Sequence, residues 1–197
     1  MIASADLQAL RSAIHRFITL DDADWELLTP HLSEEHLARG QTFCQEGKKT
    51  NKIGFLLEGS MRHYYTKDGE EKTTYFYFEN HFVSSYISCL TAQPSQLTIE
   101  ALTPSRLLVF RYPVLQDLFL ASHAWERFGR LMAEYLATGL EQRMVSLLLL
   151  SPEERYEDLL QSSKQKIVER IPQQYIASYL GITPVSLSRI RNRCLKK

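Results

Sequence analysis

Apolar positions near the C-terminal end of the chain recur at helical spacing in two short runs. Ile176 and Leu180 lie one helical turn apart, and Gly181 follows at the position where glycine commonly ends a helix. The second run recurs at steps of three and four residues, which predicts the buried stripe of another helix. Its members are Leu187, Ile190 and Cys194.

The residues that precede each run suit a helix start. Pro172 is typical of a first helical turn, where its missing N–H costs nothing. Thr183 can cap the second helix through its hydroxyl, and Pro184 then stands at the first helical position. Two short helices joined by a tight turn containing glycine predict a helix-turn-helix, whose second helix enters the major groove of DNA.

An ordinary helical hairpin is the alternative, and the outward face of the second helix argues against it. From Lys164 to Lys197 the chain has eight Lys or Arg residues and only one acid, Glu169. A solvated structural helix normally carries both signs, so the charge pattern favours DNA binding. At 100° per residue, the side chains opposite the buried stripe are Val185, Arg189, Asn192 and Lys196, flanked by Ser186, Ser188 and Arg193.

The middle of the chain has the pattern of short strands. Glycines separate segments rich in Phe, Tyr, Thr and Ile from Glu35 to about residue 111, and Asp68-Gly69 between two of them predicts a tight hairpin. The spacing indicates a small antiparallel barrel or sandwich. Residues 4–32 before it have helical periodicity.

Helical periodicity returns at Ser122 and continues to Leu150. One interpretation is a core helix; the other, which we favour, is a seam between two copies of the chain, because a helix-turn-helix generally reads two half-sites through a two-fold axis. The predicted dimer stripe comprises Phe128, Met132, Tyr135 and Gly139.

Ser151-Pro152-Glu153-Glu154 has the form of a capping box and predicts a new helix start. We therefore predict an α+β protein in three parts. Residues 1–121 form an antiparallel β-roll with flanking helices, residues 122–150 a long dimerisation helix, and residues 151–197 the helix-turn-helix domain.

Bulk properties narrow the function class. The 23 Lys and Arg residues balance 23 Asp and Glu, so the basic C-terminal segment is offset by acid elsewhere. No apolar run has the length of a membrane span. The three cysteines are widely separated and the six histidines lack metal-ligand spacing, so we expect a cytoplasmic protein with reduced thiols and no metal. No nucleophile–base arrangement or phosphate loop appears, and we expect no enzyme activity.

The order of these parts resembles the Crp/Fnr family of bacterial transcription regulators. The resemblance rests on FLLEGSMRHYYTKDGEE in the predicted roll, ERYEDLL after the long helix and, above all, IPQQYIASYLGITPVSLSRIR. It implies a roll that binds an effector, often a cyclic nucleotide, and a dimer that relays the effector state to DNA. The β-hairpin wing common in the family has no counterpart before Lys197.

The family's effector residues are replaced here. The Gly-Glu pair that holds the ribose corresponds to Ser84-Ser85, and the Arg-Ser or Arg-Thr pair that neutralises the cyclic phosphate corresponds to Ser95-Gln96. We therefore expect cyclic AMP to bind weakly or not at all, and we predict no bound cofactor. The hydroxyls of Ser84, Ser85, Tyr86 and Ser95 either serve another small effector or satisfy the loop backbone.

We expect double-stranded DNA, a second copy of the chain and RNA polymerase as partners. The predicted base-reading residues are Val185, Ser186, Ser188 and Arg189, with Val185 in place of a Glu that many relatives carry. The predicted phosphate contacts are Gln173, Gln174, Thr183, Arg191, Arg193, Lys196 and Lys197. The alternative function is a ligand-sensing or protein-docking module whose helix-turn-helix binds no DNA.

Overall fold

The computed structural model describes residues 2–161 and 165–194. Two helices precede the strands: α1 (Ser4–His15) and α2 (Asp22–Leu28). The strands are β1 (Ser33–Leu37), β2 (Thr42–Cys44), β3 (Lys52–Glu58), β4 (Met61–Lys67), β5 (Glu70–Tyr77), β6 (Phe82–Val83), β7 (Thr98–Ala101) and β8 (Ser105–Arg111). The remaining helices are α3 (Tyr86–Thr91), α4 (Tyr112–Ala121), α5 (His123–Leu149), α6 (Pro152–Gln161), α7 (Gln165–Arg170), α8 (Gln173–Leu180) and α9 (Pro184–Cys194).

The strands form two four-stranded sheets, ordered β1-β8-β3-β6 and β2-β7-β4-β5. The pairs in the first sheet are antiparallel, and Gly54 on β3 faces Val83 on one side and Val109 on the other. Asp68 and Gly69 both have positive φ, 53° and 80°, as a two-residue type I′ turn requires. The predicted Asp-Gly hairpin and the α+β class with an antiparallel roll are confirmed.

The hydrophobic core of the N-terminal part joins the roll to its flanking helices. Trp125 and Phe128, in the first turns of α5, are 1% and 5% exposed and their rings meet edge to face at 5.7 Å. The Trp125 indole N–H donates to the carbonyl of Asp24, 2.9 Å away. Phe82 packs on Phe128 at 5.8 Å, so the start of α5 is fixed on the roll.

The chain divides into two compact units. One comprises the described residues up to His63 together with Tyr77–Leu136, and the other comprises Tyr64–Phe76 with the described residues from Ala137 onward. The hairpin between β4 and β5 therefore groups with the C-terminal helices, and α5 contributes to both units. The division into residues 1–121, 122–150 and 151–197 stays a prediction. No helix in the described ranges is long and apolar enough to cross a membrane.

Candidate nucleic-acid interface and ligand loop

The first helix of the predicted helix-turn-helix is α8, and it ends as the sequence predicts. Gly181 has φ 70°, and its N–H donates to the carbonyl of Ser178 while the next N–H, of Ile182, donates to that of Ala177. This pair of bonds satisfies the last carbonyls of the helix and reverses the chain. Pro172 lies one residue before the helix, with an extended ψ of 138°, rather than in its first turn.

The second helix, α9, begins at Pro184 and is capped by Thr183. The Thr183 hydroxyl oxygen accepts a hydrogen bond from the Ser186 backbone N–H at 3.2 Å and lies 3.0 Å from the Ser186 hydroxyl. Leu187 and Ile190 are 0% and 4% exposed, so the predicted buried stripe is present. Ser186 is thereby engaged in the cap, which reduces its availability for base contacts.

The opposite face of α9 points to solvent. Val185 is 62% exposed, and Ser188, Arg189 and Asn192 are exposed as well. Within the described residues, the side chains of Ser188, Arg189 and Asn192 form no hydrogen bond or ion pair. The helix carries three arginines and no acid. This face therefore offers donors, an amide and a methyl-bearing side chain to an outside partner.

The predicted phosphate contacts have different surroundings. Gln173 and Gln174 are exposed in the first turn of α8. Arg193 is bound to Glu153 of α6, with Nη2 2.7 Å from Oε2, and Arg191 is partly buried beside a small cavity of about 170 Å³. Lys196 and Lys197 lie outside the described residues.

Two arginines that the sequence analysis did not single out hold the end of α8. Arg155 donates to the carbonyl of Leu180 at 2.8 Å and to that of Leu150. Arg143 on α5 donates to the carbonyl of Tyr179, and its guanidinium carbon lies 3.9 Å from the Tyr179 ring centroid. Burial lowers the pKa of the Arg143 guanidinium. The sequence analysis missed these two arginines because the carbonyls they bind leave no mark in the sequence.

Strand β5 of the hairpin contacts the same helix. The Thr73 backbone N–H donates to the Ser178 hydroxyl at 3.0 Å, and that hydroxyl donates to the Glu71 carbonyl at 2.9 Å. The Phe76 and Tyr179 rings lie 5.5 Å apart. One serine hydroxyl thus joins α8 to the backbone of the hairpin.

The long helix α5 changes character along its length. Phe128, which the spacing places on the dimer stripe, is buried in the core of its own chain, and Met132 is partly buried against that core. Their part in a dimer stays a prediction. Tyr135 is 58% exposed, and a side chain at Gly139 would meet nothing within 4 Å. Beyond them the exposed apolar residues, which we call the α5 stripe together with Tyr135, are Leu136, Leu140, Met144, Val145, Leu147, Leu148 and Leu149.

The loop from Ser84 to Leu97, which we call the ligand loop, has its hydroxyls turned inward. Ser85 and Ser95 are 1% and 3% exposed, and their hydroxyl oxygens are 2.9 Å apart. Ser95 Oγ donates to the Leu97 carbonyl at 2.7 Å, and the Cys44 thiol lies 3.2 Å from Ser95 Oγ. These contacts match the alternative in which the hydroxyls satisfy the loop itself.

The rest of the ligand loop is partly exposed and uncharged. Ser84 is partly buried, while Tyr86 and Gln96 are exposed. Between Val83 and Leu97 the sequence has no Asp, Glu, Lys or Arg. This segment therefore supplies neither the cation for a cyclic phosphate nor the carboxylate for a ribose.

In the roll, the sequence analysis did not predict a buried ion pair or the shifted pKa values of two buried side chains. Arg62 of β4 is 3% exposed and binds Glu100 of β7 through Nε and Nη2, at 3.0 and 2.7 Å from Oε2. Burial lowers the pKa of His63 to about 4 and raises that of the Cys44 thiol. The sequence offered one signal for the buried Arg62. Polar residues in β4 do not follow the alternation of apolar and polar positions that a half-buried strand shows.

In the described ranges, one group of side chains has metal-like spacing. The ligand atoms of Glu153, Glu157 and Cys194 lie within 4.8 Å of one another. Arg193 already bonds the Glu153 carboxylate, which accounts for the placement of that residue without a metal.

Comparison with known proteins agrees with this architecture. Residues 34–122 match the cyclic nucleotide-binding domain family. No curated protein matches the chain. FixK2 from Bradyrhizobium japonicum superposes with a TM-score of 0.70 at 16% identity, covering 84% of this chain and 85% of that one.

Two other solved structures are similar. A crp/fnr family putative regulator from Eubacterium rectale has a TM-score of 0.68 at 19% identity, covering 90% of this chain and 85% of its own. CLP from Xanthomonas campestris, described as a c-di-GMP responsive global regulator, has a TM-score of 0.68 at 16% identity, covering 89% and 92%. Residues 34–122 therefore match the cyclic nucleotide-binding domain family, and the chain shares its fold with these three solved structures.

Proposed function

We propose that the protein is a homodimeric, sequence-specific DNA-binding transcription regulator. The observation that carries the proposal is the outward face of α9, which is exposed, cationic and free of acid, while its opposite stripe is buried. DNA-binding helices of this type place their N-terminal turns in the major groove. The acid-free surface lets the helix approach a polyanion without like-charge repulsion.

Arg189 is the principal base-reading residue in this proposal. Its guanidinium can donate to both O6 and N7 of guanine, and Val185 can contact a thymine methyl group. The Ser188 hydroxyl can form a hydrogen bond to a base edge in the major groove. Ser186 contributes less to base reading because its hydroxyl is bonded to Thr183. A carboxylate that accepts from cytosine N4 is missing from this face, so the operator differs from those read by a Glu at the position of Val185.

Phosphate contacts would position this helix on the duplex. Gln173 and Gln174 lie at the start of α8, where helix N-termini favour anions. Arg191 and Arg193 flank the reading face. Arg193 either replaces its ion pair with Glu153 by one with a phosphate or keeps that ion pair and acts as a fixed positive charge. Lys196 and Lys197 complete the predicted basic segment.

A second copy of the chain would cover the α5 stripe. Leu140, Leu148 and Leu149 are 71%, 74% and 75% exposed, which is unusual for so many consecutive turns of an amphipathic helix in one chain. Two such helices packed around a two-fold axis would bury both stripes and present two recognition helices to half-sites about 34–36 Å apart. RNA polymerase is a further partner that the regulator role implies.

The roll would bind a cyclic nucleotide weakly or not at all. The uncharged ligand loop supports this, since a cyclic phosphate bound there would lack the charge-assisted contacts that strengthen anion binding.

DNA binding tests the proposal. Fluorescence anisotropy with randomised and selected duplexes, from low to physiological salt, should show salt-dependent binding and a preference for the selected sequence. Sedimentation in the same buffer should show a dimer. If no duplex binds even at low salt, the docking-module alternative replaces the proposal.

A further inference from the structure

We infer that Asn192 reads an adenine one or two base pairs from the guanine read by Arg189, so that both bases of the half-site face α9. This inference deepens the proposed function and rests on it. Asn192 is exposed on α9 and, within the described residues, its amide has no hydrogen-bond partner.

The geometry of the helix places Asn192 within the reading face. At 100° per residue, Asn192 lies 20° from Val185 around the helix axis and 60° from Arg189. Both neighbours are exposed on the side opposite the buried Leu187 and Ile190. Val185 lies between Asn192 and Arg189 on this arc, so all three side chains face the same groove.

The chemistry of the amide selects adenine. An Asn side chain donates from its nitrogen to adenine N7 and accepts from the adenine N6 amino group, so that both of its functions are used at once. A neutral amide gains less than an arginine from a phosphate. The charged positions on either side, Arg191 and Arg193, are the ones suited to the backbone.

Spacing along the helix fixes the separation of the two bases. Arg189 and Asn192 are three residues apart, which is about 4.5 Å along the axis at 1.5 Å per residue. Base pairs rise about 3.4 Å. The adenine therefore lies one or two base pairs from the guanine.

The test selects duplexes from a randomised pool with the full-length wild-type chain and measures affinities by anisotropy. Replacing the predicted A·T pair by G·C should weaken wild-type binding by about 5- to 150-fold. Asn192→Ala should lose this discrimination and retain the preference for guanine. Gln161→Ala, an exposed change on α6, is the matched control and should behave as wild type.

A base analogue separates base reading from other effects. 7-Deazaadenine at the predicted position removes the N7 acceptor, so it should weaken the wild type several-fold and leave Asn192→Ala unaffected. The inference is overturned if the selected sites contain no fixed A·T pair near the guanine, or if Asn192→Ala weakens all duplexes equally, as for a phosphate contact. If the wild type shows no sequence preference at all, the proposed function fails with it; a preference that persists unchanged in Asn192→Ala removes the inference alone.

Discussion

The outward face of α9 and the ligand loop both contain serine side chains, but Ser188 on α9 is exposed, whereas Ser85 and Ser95 in the loop are buried. On α9, Ser188, Arg189 and Asn192 are exposed and have no bonding partner in the described part of the chain. In the ligand loop, Ser85 and Ser95 are buried and bonded to each other, to Cys44 and to the Leu97 carbonyl. A polar side chain is available to an outside partner only when its own fold leaves it unsatisfied.

The same contrast extends to charge. The α9 surface has three arginines, whereas the ligand loop has no charged residue. A phosphate-bearing partner therefore has counter-charges at one of these surfaces and none at the other. This difference predicts where the protein meets nucleic acid and which ligands its roll excludes.

The largest expected effect comes from the buried side of α9. Leu187→Ala removes a side chain that is 0% exposed, and large-to-small core changes of this kind cost about 2–5 kcal/mol. The free energy of unfolding, measured with urea, should fall by that amount, whereas Val185→Ala on the exposed face should change it little. Equal effects would show that the two faces of α9 are not distinguished by burial.

Acid should destabilise the roll through His63. Burial lowers the pKa of His63 from 6.5 to about 4, so the unfolded chain binds this proton first. Stability is then full above pH 6.5 and falls by about 3 kcal/mol as the pH drops to 4. His63→Gln should flatten this part of the unfolding profile. A His63→Gln profile as steep as that of the wild type would contradict the assignment.

The inward bonding of the ligand loop can be broken at one hydroxyl. Ser95→Ala removes the oxygen that bonds the Ser85 hydroxyl and leaves the Leu97 carbonyl with the Cys44 thiol, a weak donor 3.7 Å away, which should lower the free energy of unfolding by about 1–3 kcal/mol. Gln96→Ala is the neighbouring exposed control and should change stability by less than about 0.5 kcal/mol. If the stability of the Ser95→Ala variant equals that of the wild type, the Ser95 hydroxyl is not needed for folding and is available to an effector.

The smallest expected effect is that of cyclic AMP. A ligand that binds the native state raises the unfolding temperature with concentration, and we expect no measurable rise at millimolar cyclic AMP. Tight binding in calorimetry would contradict the prediction that the uncharged ligand loop excludes a cyclic phosphate.

Local signals in the sequence predicted the turns and helix ends well. Asp68-Gly69 and Gly181 adopt the left-handed conformations their residue types favour, and the capping box is confirmed by the Ser151 N–H donating to Glu154 Oε2 at 2.7 Å. Periodicity also predicted the buried stripe of α9. These features depend on neighbours within a few residues.

Contacts between distant segments escaped the sequence analysis. The Arg155 bond to Leu180, the Ser178 bonds to the hairpin and the Arg62–Glu100 pair each join residues at least 25 positions apart. Helical spacing also could not separate Phe128, which is in the core, from Tyr135, which is exposed, because both lie on one stripe. Whether an apolar stripe is covered depends on which segment packs against it, and this is set by the fold and not by the spacing of residues along the helix.

The most direct test of the central claim is the affinity of wild type and Arg189→Ala for a selected duplex and a scrambled duplex over a range of salt concentrations. The account predicts that Arg189→Ala loses about 1–3 kcal/mol on the selected duplex and much less on the scrambled one, with the slope of affinity against salt nearly retained. Unchanged affinity of Arg189→Ala for the selected duplex would contradict the claim that the outward face of α9 reads DNA.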